Sequence, residues 1–190
     1  LIGLDRKTGI ELSEATPKVS DAKAVPSYMV QGNNLFTTSE LARYATVMAT
    51  SGNVFKLTLL DKVMDPKGEV IQEYEPEIED VVNISSNIWD VIHDGMRRVI
   101  QTHSQFDGLG VEVAGTAELD LRHPNHGLFI GYAPASDPEY AVAIRIANGY
   151  SSGNACLIAN DIFKYMYNLA DKDSILTGIA STDTSDTSND

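Results

Sequence analysis

Three kinds of short pattern in this chain could together build an acylating serine. Ser20-Asp21-Ala22-Lys23 separates a hydroxyl from an amine by one helical turn. At that spacing a lysine can take the serine proton and free the oxygen for attack on a carbonyl. Ser51-Gly52-Asn53, Ser85-Ser86-Asn87 and Ser152-Gly153-Asn154 share a Ser-x-Asn spacing suited to proton relay and to contact with a bound substrate. Lys7-Thr8-Gly9 on a strand edge would offer a cation to a carboxylate and backbone groups to an extended peptide. Context argues against all of them. Their order reverses the sequence nucleophile, relay, strand. Lys7 lies in a Gly-flanked turn, and Pro26 with the polar neighbours of Ser20 opposes a buried helix there. Such tripeptides arise by chance in a Ser-rich chain, so no catalytic residue is assigned.

Other reactive side chains read as structural. His123 and His126 flank Pro124-Asn125 at a spacing a metal could use, but no third ligand is near in sequence and a turn is the better reading. Glu69, Glu73, Glu75, Glu77, Glu79 and Asp80 crowd one stretch without the Asp/Asn/Gly pattern of a calcium loop, which reads as a solvated linker. The single cysteine, Cys156, permits no internal disulfide and sits among apolar residues at helical spacing, as packed thiols do. Trp89 reads as core. The net charge of −13 repels phosphate backbones and excludes nucleic acid as a partner. No apolar run approaches the ~18 residues of a membrane span, so no membrane contact is expected from this segment.

These residues need elements to hold them. At 190 residues, 43% hydrophobic and 22% charged, the chain can bury one domain core. Residues 1–35 are turn-rich. Thr37 and Glu40 fit a capping box ahead of a helix whose Leu41, Tyr44, Ala45 and Met48 share a face, and Gly52 ends it. Phe55, Leu57 and Leu59 alternate as a strand does, and Asp65-Pro66-Lys67-Gly68 turns the chain back through Val70-Ile71 as a hairpin. A second helix, capped by Ser86 or Asn87, places Ile88, Val91, Ile92, Met96, Val99 and Ile100 on one stripe. Val111–Leu121, Leu128–Ala133 and Tyr140–Ala147, joined by short Pro-containing turns, predict an antiparallel meander. A helix over 154–169 carries Ala155, Ile158, Ala159, Ile162, Met166 and Leu169 to cover one sheet face. The fold class is therefore α+β, an antiparallel sheet with covering helices. The tail at 171–190 is polar and acidic, and from Ser181 on, with only Ser, Thr, Asp and Asn, it predicts disorder.

A set of longer segments resembles the transpeptidase domain of class B penicillin-binding proteins, the penicillin-recognising serine enzymes. Gln31-Gly32-Asn33-Asn34-Leu35-Phe36-Thr37-Thr38-Ser39-Glu40-Leu41-Ala42-Arg43-Tyr44 is similar to the family's Gly-Gln-Gly-Asn-x-x-Thr-x-x-Gln-Leu-Ala-x-Tyr, with Val30 in place of the first Gly. Leu1–Leu12 resembles the stretch before it, whose Thr-Gly-Ile-x-Leu piece accounts for Lys7-Thr8-Gly9. Gly95-Met96-Arg97-Arg98-Val99 resembles the Gly-Met-x-x-Val helix, and His126–Pro134 the strand after the active-site strand. The resemblance covers roughly residues 1–170, read as the C-terminal portion of the domain.

Two departures matter. The family's Ser-x-x-Lys and Ser-x-Asn lie upstream of the position matching Leu1. The family's Val-x-Val-Ala-Gly-Lys-Thr-Gly-Thr-Ala-Glu stands here as Val111-Glu112-Val113-Ala114-Gly115-Thr116-Ala117-Glu118, which favours loss of three residues over replacement of Lys and Thr. An odd loss reverses side-chain facing beyond the gap unless a bulge absorbs it. The resemblance implies a parent enzyme on the extracytoplasmic face of the bacterial membrane, anchored upstream. It would cross-link peptidoglycan stem peptides, be acylated by β-lactams, and work with other cell-wall synthesis proteins, with a serine nucleophile and no metal or organic cofactor. It implies that Gly115, Thr116, Ala117 and Glu118 hold the substrate backbone, against the plainer reading of an ordinary edge strand. The chain alone is expected to be inactive. The alternatives are a non-catalytic binding or scaffold module that keeps the fold, and an unrelated α+β binding domain.

Overall fold

A computed structural model describes residues 2–20, 34–120 and 126–176. The chain divides into two units, Leu1–Asn83 and Ile84–Asp190.

The first unit is organised around helix α1 (Thr38–Ala49). Its capping box is complete: the Glu40 N–H donates to the Thr37 hydroxyl at 3.1 Å, and the Thr37 N–H donates to the Glu40 carboxylate at 2.8 Å. Ser51 and Gly52, both at positive φ, turn the chain out of the helix. Strand β1 (Asn53–Lys56) follows, and Val54 rather than Phe55 is its buried residue. The predicted alternation Phe55-Leu57-Leu59 is thus one residue out of phase, and the strand ends before Leu57. β2 (Lys62–Met64) and β3 (Val70–Glu73) form the expected hairpin around Asp65–Gly68. The acidic stretch is not a linker. Its residues build β3 and then β4 (Glu77–Val81), which pairs antiparallel with β1.

Arg43 explains how the N-terminal segment is held. It is fully buried, donates to the carbonyls of Gly3, Arg6 and Lys7, and lies 3.5 Å from a Glu79 oxygen. Gly3 permits that approach. Its φ is +77°, and a Cβ there would stand 2.8 Å from Val54 Cγ1 and 3.2 Å from Arg43 Nε.

The second unit carries the meander. Helix α2 (Ser86–Gln101) is capped at Ser85, one residue before the predicted positions, and no side chain closes that cap. Trp89 and Ile100 are buried as read, but Ile88, Val91 and Val99 face solvent, Val91 being 72% exposed. The apolar residues form one wide face and only its Trp89–Ile100 flank is covered, so periodicity alone could not tell how much of that face turns inward. Strands β5 (Ala114–Asp120), β6 (His126–Ala133) and β7 (Tyr140–Ile146) pair antiparallel in the order β5-β6-β7, as expected. Helix α3 (Ser152–Met166) covers the sheet with Ala155, Cys156, Ala159 and Phe163. Ala155, Ala159 and Ile162 face the core as predicted, whereas Ile158 and Leu169 are exposed and Cys156 and Phe163 take the inward places beside them. Phe129, Ile144, Val113, Leu109 and Ile100 complete this core. A one-turn helix α4 (Lys172–Ile175) ends the described chain, and the tail expected to be disordered lies outside the described residues.

Candidate substrate-binding strand

β5 is the edge strand of its sheet. β6 pairs with one side of it, and no strand among the described residues pairs with the other. The register steps one for one, from Ala114 opposite Tyr132 to Asp120 opposite His126, without a bulge. The expected reversal at the shortened site is therefore not absorbed between Gly115 and Thr116. Gly115 and Ala117 fall on the face of Phe129 and the α3 core, and Thr116 falls opposite, level with Ile130.

Gly115 and Gly131 are direct cross-strand partners, and both need to lack a side chain. A Cβ on Gly115 would sit 2.5 Å from the Ile130 carbonyl oxygen, and one on Gly131 would sit 2.7 Å from both the Ala114 oxygen and Phe129 Cζ. The empty pair makes room for the Phe129 ring, which is fully buried and 5.6 Å from Phe106. Ala117 is directly opposite Phe129 and half-buried against the same core. Thr116 is half-buried, and the Glu118 backbone pairs with Leu128. The four residues Gly115–Glu118 thus form one continuous edge whose depth is set by glycine.

Helix α2 packs along β5. His93 stacks at 6.0 Å on Trp89 and meets the Tyr132 ring edge-on at 6.1 Å. Tyr132 is fully buried opposite Ala114, and burial raises its hydroxyl pKa against the opposing effect of the Arg97 charge. Arg97 donates to the Ala135 carbonyl at 2.9 Å and has its Nε 3.8 Å from a Glu112 oxygen. Sequence reading missed this support. Two glycines spaced by an even number along one strand, Gly127 and Gly131, were the available signal for close backbone approach on one face.

The other patterns hold turns and helix ends. The buried Thr8 gives its N–H and hydroxyl to Glu14 at 2.9 and 2.8 Å, and Ser39 donates to the same carboxylate at 2.6 Å. Burial pushes the Glu14 pKa up, but the donors from Ser39 and Thr8 outweigh it and hold it below the ordinary value. Lys7-Thr8-Gly9 is accordingly a structural segment without regular structure, its Thr8 carbonyl accepting from the Leu57 N–H at 3.0 Å and Lys7 exposed. Ser51-Gly52-Asn53 ends α1, Ser85-Ser86-Asn87 starts α2, and Ser152-Gly153-Asn154 starts α3, where Asn154 donates to the Gly149 carbonyl at 2.8 Å. Ser20 donates its N–H to Asn34 at 2.8 Å, while Lys23 lies outside the described residues. His126 accepts from the Asn148 N–H at 3.0 Å, and His123 lies outside the described residues. Among the described residues no three His, Cys, Asp or Glu side chains are placed to share a metal ion, and no helix is long and apolar enough to cross a membrane.

Residues 1–168 match the family described as the penicillin-binding protein transpeptidase domain. The chain is 35% identical over 102 residues to the peptidoglycan D,D-transpeptidase MrdA of Acinetobacter baumannii, covering 46% of this chain and 15% of that protein. It is 30% identical over 149 residues to the peptidoglycan D,D-transpeptidase PbpA of Mycolicibacterium smegmatis, covering 74% of this chain and 30% of the relative. Its fold is similar to that of penicillin-binding protein A from M. tuberculosis, solved as an imipenem acyl-enzyme complex, with a TM-score of 0.74 and 21% identity over 89% of this chain and 40% of that one. The chain spans less than a third of the length of these two curated relatives.

Proposed function

Because the chain belongs to the penicillin-binding protein transpeptidase domain family, we propose that it supplies the substrate-facing strand of a D,D-transpeptidase without supplying the nucleophile. The parent protein, on this reading, acts outside the cytoplasmic membrane. Its serine attacks the penultimate D-alanine carbonyl of a stem peptide, the terminal D-alanine leaves as an amine that takes a proton, and an acceptor amine of a second stem then displaces the serine. β-Lactams would acylate the same oxygen, with the ring C–N bond breaking and the nitrogen taking the proton.

The observation that carries the reading is the edge of β5 at Gly115–Glu118, with which no strand among the described residues pairs. An extended peptide can add to such an edge through backbone hydrogen bonds, which serve any side chains on the ligand. Gly115 and Gly131 keep that edge flat against the Phe129 ring. The lysine that would meet a substrate carboxylate is absent from 111–118, so binding rests on the backbone alone and is expected to be weak.

A titration of the isotopically labelled chain with a peptide ending in D-alanyl-D-alanine tests this. Amide shifts should move at Gly115–Glu118 with millimolar affinity. Shifts confined to other elements, or none at saturating peptide, would remove β5 as the substrate edge. The unbroken β5–β6 register through the shortened site also favours a second reading, a scaffold module that keeps the fold without catalysis. Inserting Lys-Thr-Gly between Gly115 and Thr116 separates the two. Tighter peptide binding on insertion supports a substrate edge, whereas unchanged binding supports the scaffold.

A further inference from the structure

The β2–β3 hairpin has a surface that the transpeptidase reading leaves unused. Every residue of β2 and β3 is exposed, and the two strands form a sheet of their own, so among the described residues no strand pairs with the outer edge of either. A lone two-stranded hairpin is marginally stable in water. This one nevertheless presents Val63, Met64, Val70 and Ile71 to solvent, with Ile71 68% exposed, and Leu59, 61% exposed, precedes it. At its base a groove of about 350 Å³ is lined by Phe55, Leu57, Leu60, Tyr74 and Pro76 among others. The Tyr74 N–H closes that base on the Asp61 carbonyl at 2.9 Å.

Charge selects what could cover this surface. Asp61 lies 3.8 Å from Lys62, Glu77 lies 3.2 Å from Lys56, and Asp80 lies 3.2 Å from Arg6. Glu69, Glu73 and Glu75 have no ion pair among the described residues and border the exposed apolar side chains. We propose that the β2–β3 hairpin and its basal groove dock an extended, cationic segment of a partner protein, its apolar residues seated on Leu59, Val70 and Ile71 and its lysines or arginines facing Glu69, Glu73 and Glu75. Strand addition satisfies the open edge, and the carboxylates set register and attraction. Anionic lipid and a second copy of this chain, itself at −13, are both disfavoured by like charge.

The test uses the full chain and a labelled dodecapeptide alternating leucine and lysine, with a leucine–glutamate peptide as control, read by fluorescence anisotropy at physiological salt. The lysine peptide should bind and the glutamate peptide should not. Leu59→Ser with Ile71→Thr should weaken binding by about tenfold or more, and Glu73→Lys with Glu75→Lys should do the same. Val91→Thr, which removes an equally exposed apolar side chain of the second unit, should leave it unchanged. Circular dichroism verifies that each variant is folded. Equal binding of both peptides, or equal loss with Val91→Thr, would overturn the proposal. So would concentration-dependent dimerisation abolished by Ile71→Thr, or binding to phosphatidylcholine vesicles in preference to the peptide.

Discussion

Arg43 shows how far one side chain can decide local architecture. Its guanidinium is fully buried and serves three carbonyls of the N-terminal segment at once. Lysine has the charge but not the planar fork, so Arg43→Lys should cost about 2–4 kcal/mol in urea unfolding because carbonyls are left unpaired. An unchanged midpoint would show that these contacts are incidental. Gly115→Ala should cost about 1–3 kcal/mol, since its Cβ would be driven onto the Ile130 carbonyl and the Phe129 ring. Tyr167 donates to the Ala133 carbonyl at 2.7 Å, and burial, with Glu139 and Tyr140 nearby, pushes its pKa up to about 12. Its ordinary value is about 10, so its stabilising contribution is complete below pH ~10 and is lost as pH rises through about 12. Thermal unfolding of the wild type should therefore lose stability between those pH values more steeply than Tyr167→Phe does. Parallel profiles would contradict the assignment. Arg43 and Gly115 both stood in segments singled out by resemblance, but the burial of Arg43 was not legible, because burial of a charge depends on carbonyls nearly forty residues away.

At the scale of elements, local chemistry was readable and partner choice was not. The α1 capping box is written within four residues, and it formed as expected. Thr37→Ala should cost about 1 kcal/mol by removing one acceptor from the helix start, measured by denaturant midpoint, and an unaffected midpoint would show the cap to be dispensable. The meander was legible for the same reason, since short turns leave adjacent strands little choice but to pair. β4 was missed because its partner β1 lies more than twenty residues earlier, and its acidic composition is that of a solvated loop. The inward lines of α2 and α3 were legible only in part, because both helices carry surplus apolar residues and the packing decides which of them are covered. Substrate contact by Gly115–Glu118 was suggested by resemblance alone. Their placement on an open edge came from the topology, and the glycine pair beneath them could be found only once the register with β6 was known.

At the scale of the whole chain, the proposed role joins a substrate-facing strand to a nucleophile supplied from outside this sequence. The fold that presents β5 is in place and belongs to the penicillin-binding protein transpeptidase domain family, and the proposed parent reaction needs a serine with a lysine beside it. Within this sequence the only Ser-x-x-Lys spacing is Ser20 with Lys23, in a polar stretch that ends at Pro26. That polar sequence is a poor match for the dry helix on which a lysine can act as base, and the strand at 111–118 carries no cation to orient a carboxylate. Both deficits act on the same step, so labelling should be absent rather than slow. The direct measurement is the intact mass of the purified chain after incubation with a fluorescent penicillin. The unmodified mass is expected throughout, and a stoichiometric adduct abolished by Ser20→Ala would contradict the proposed role.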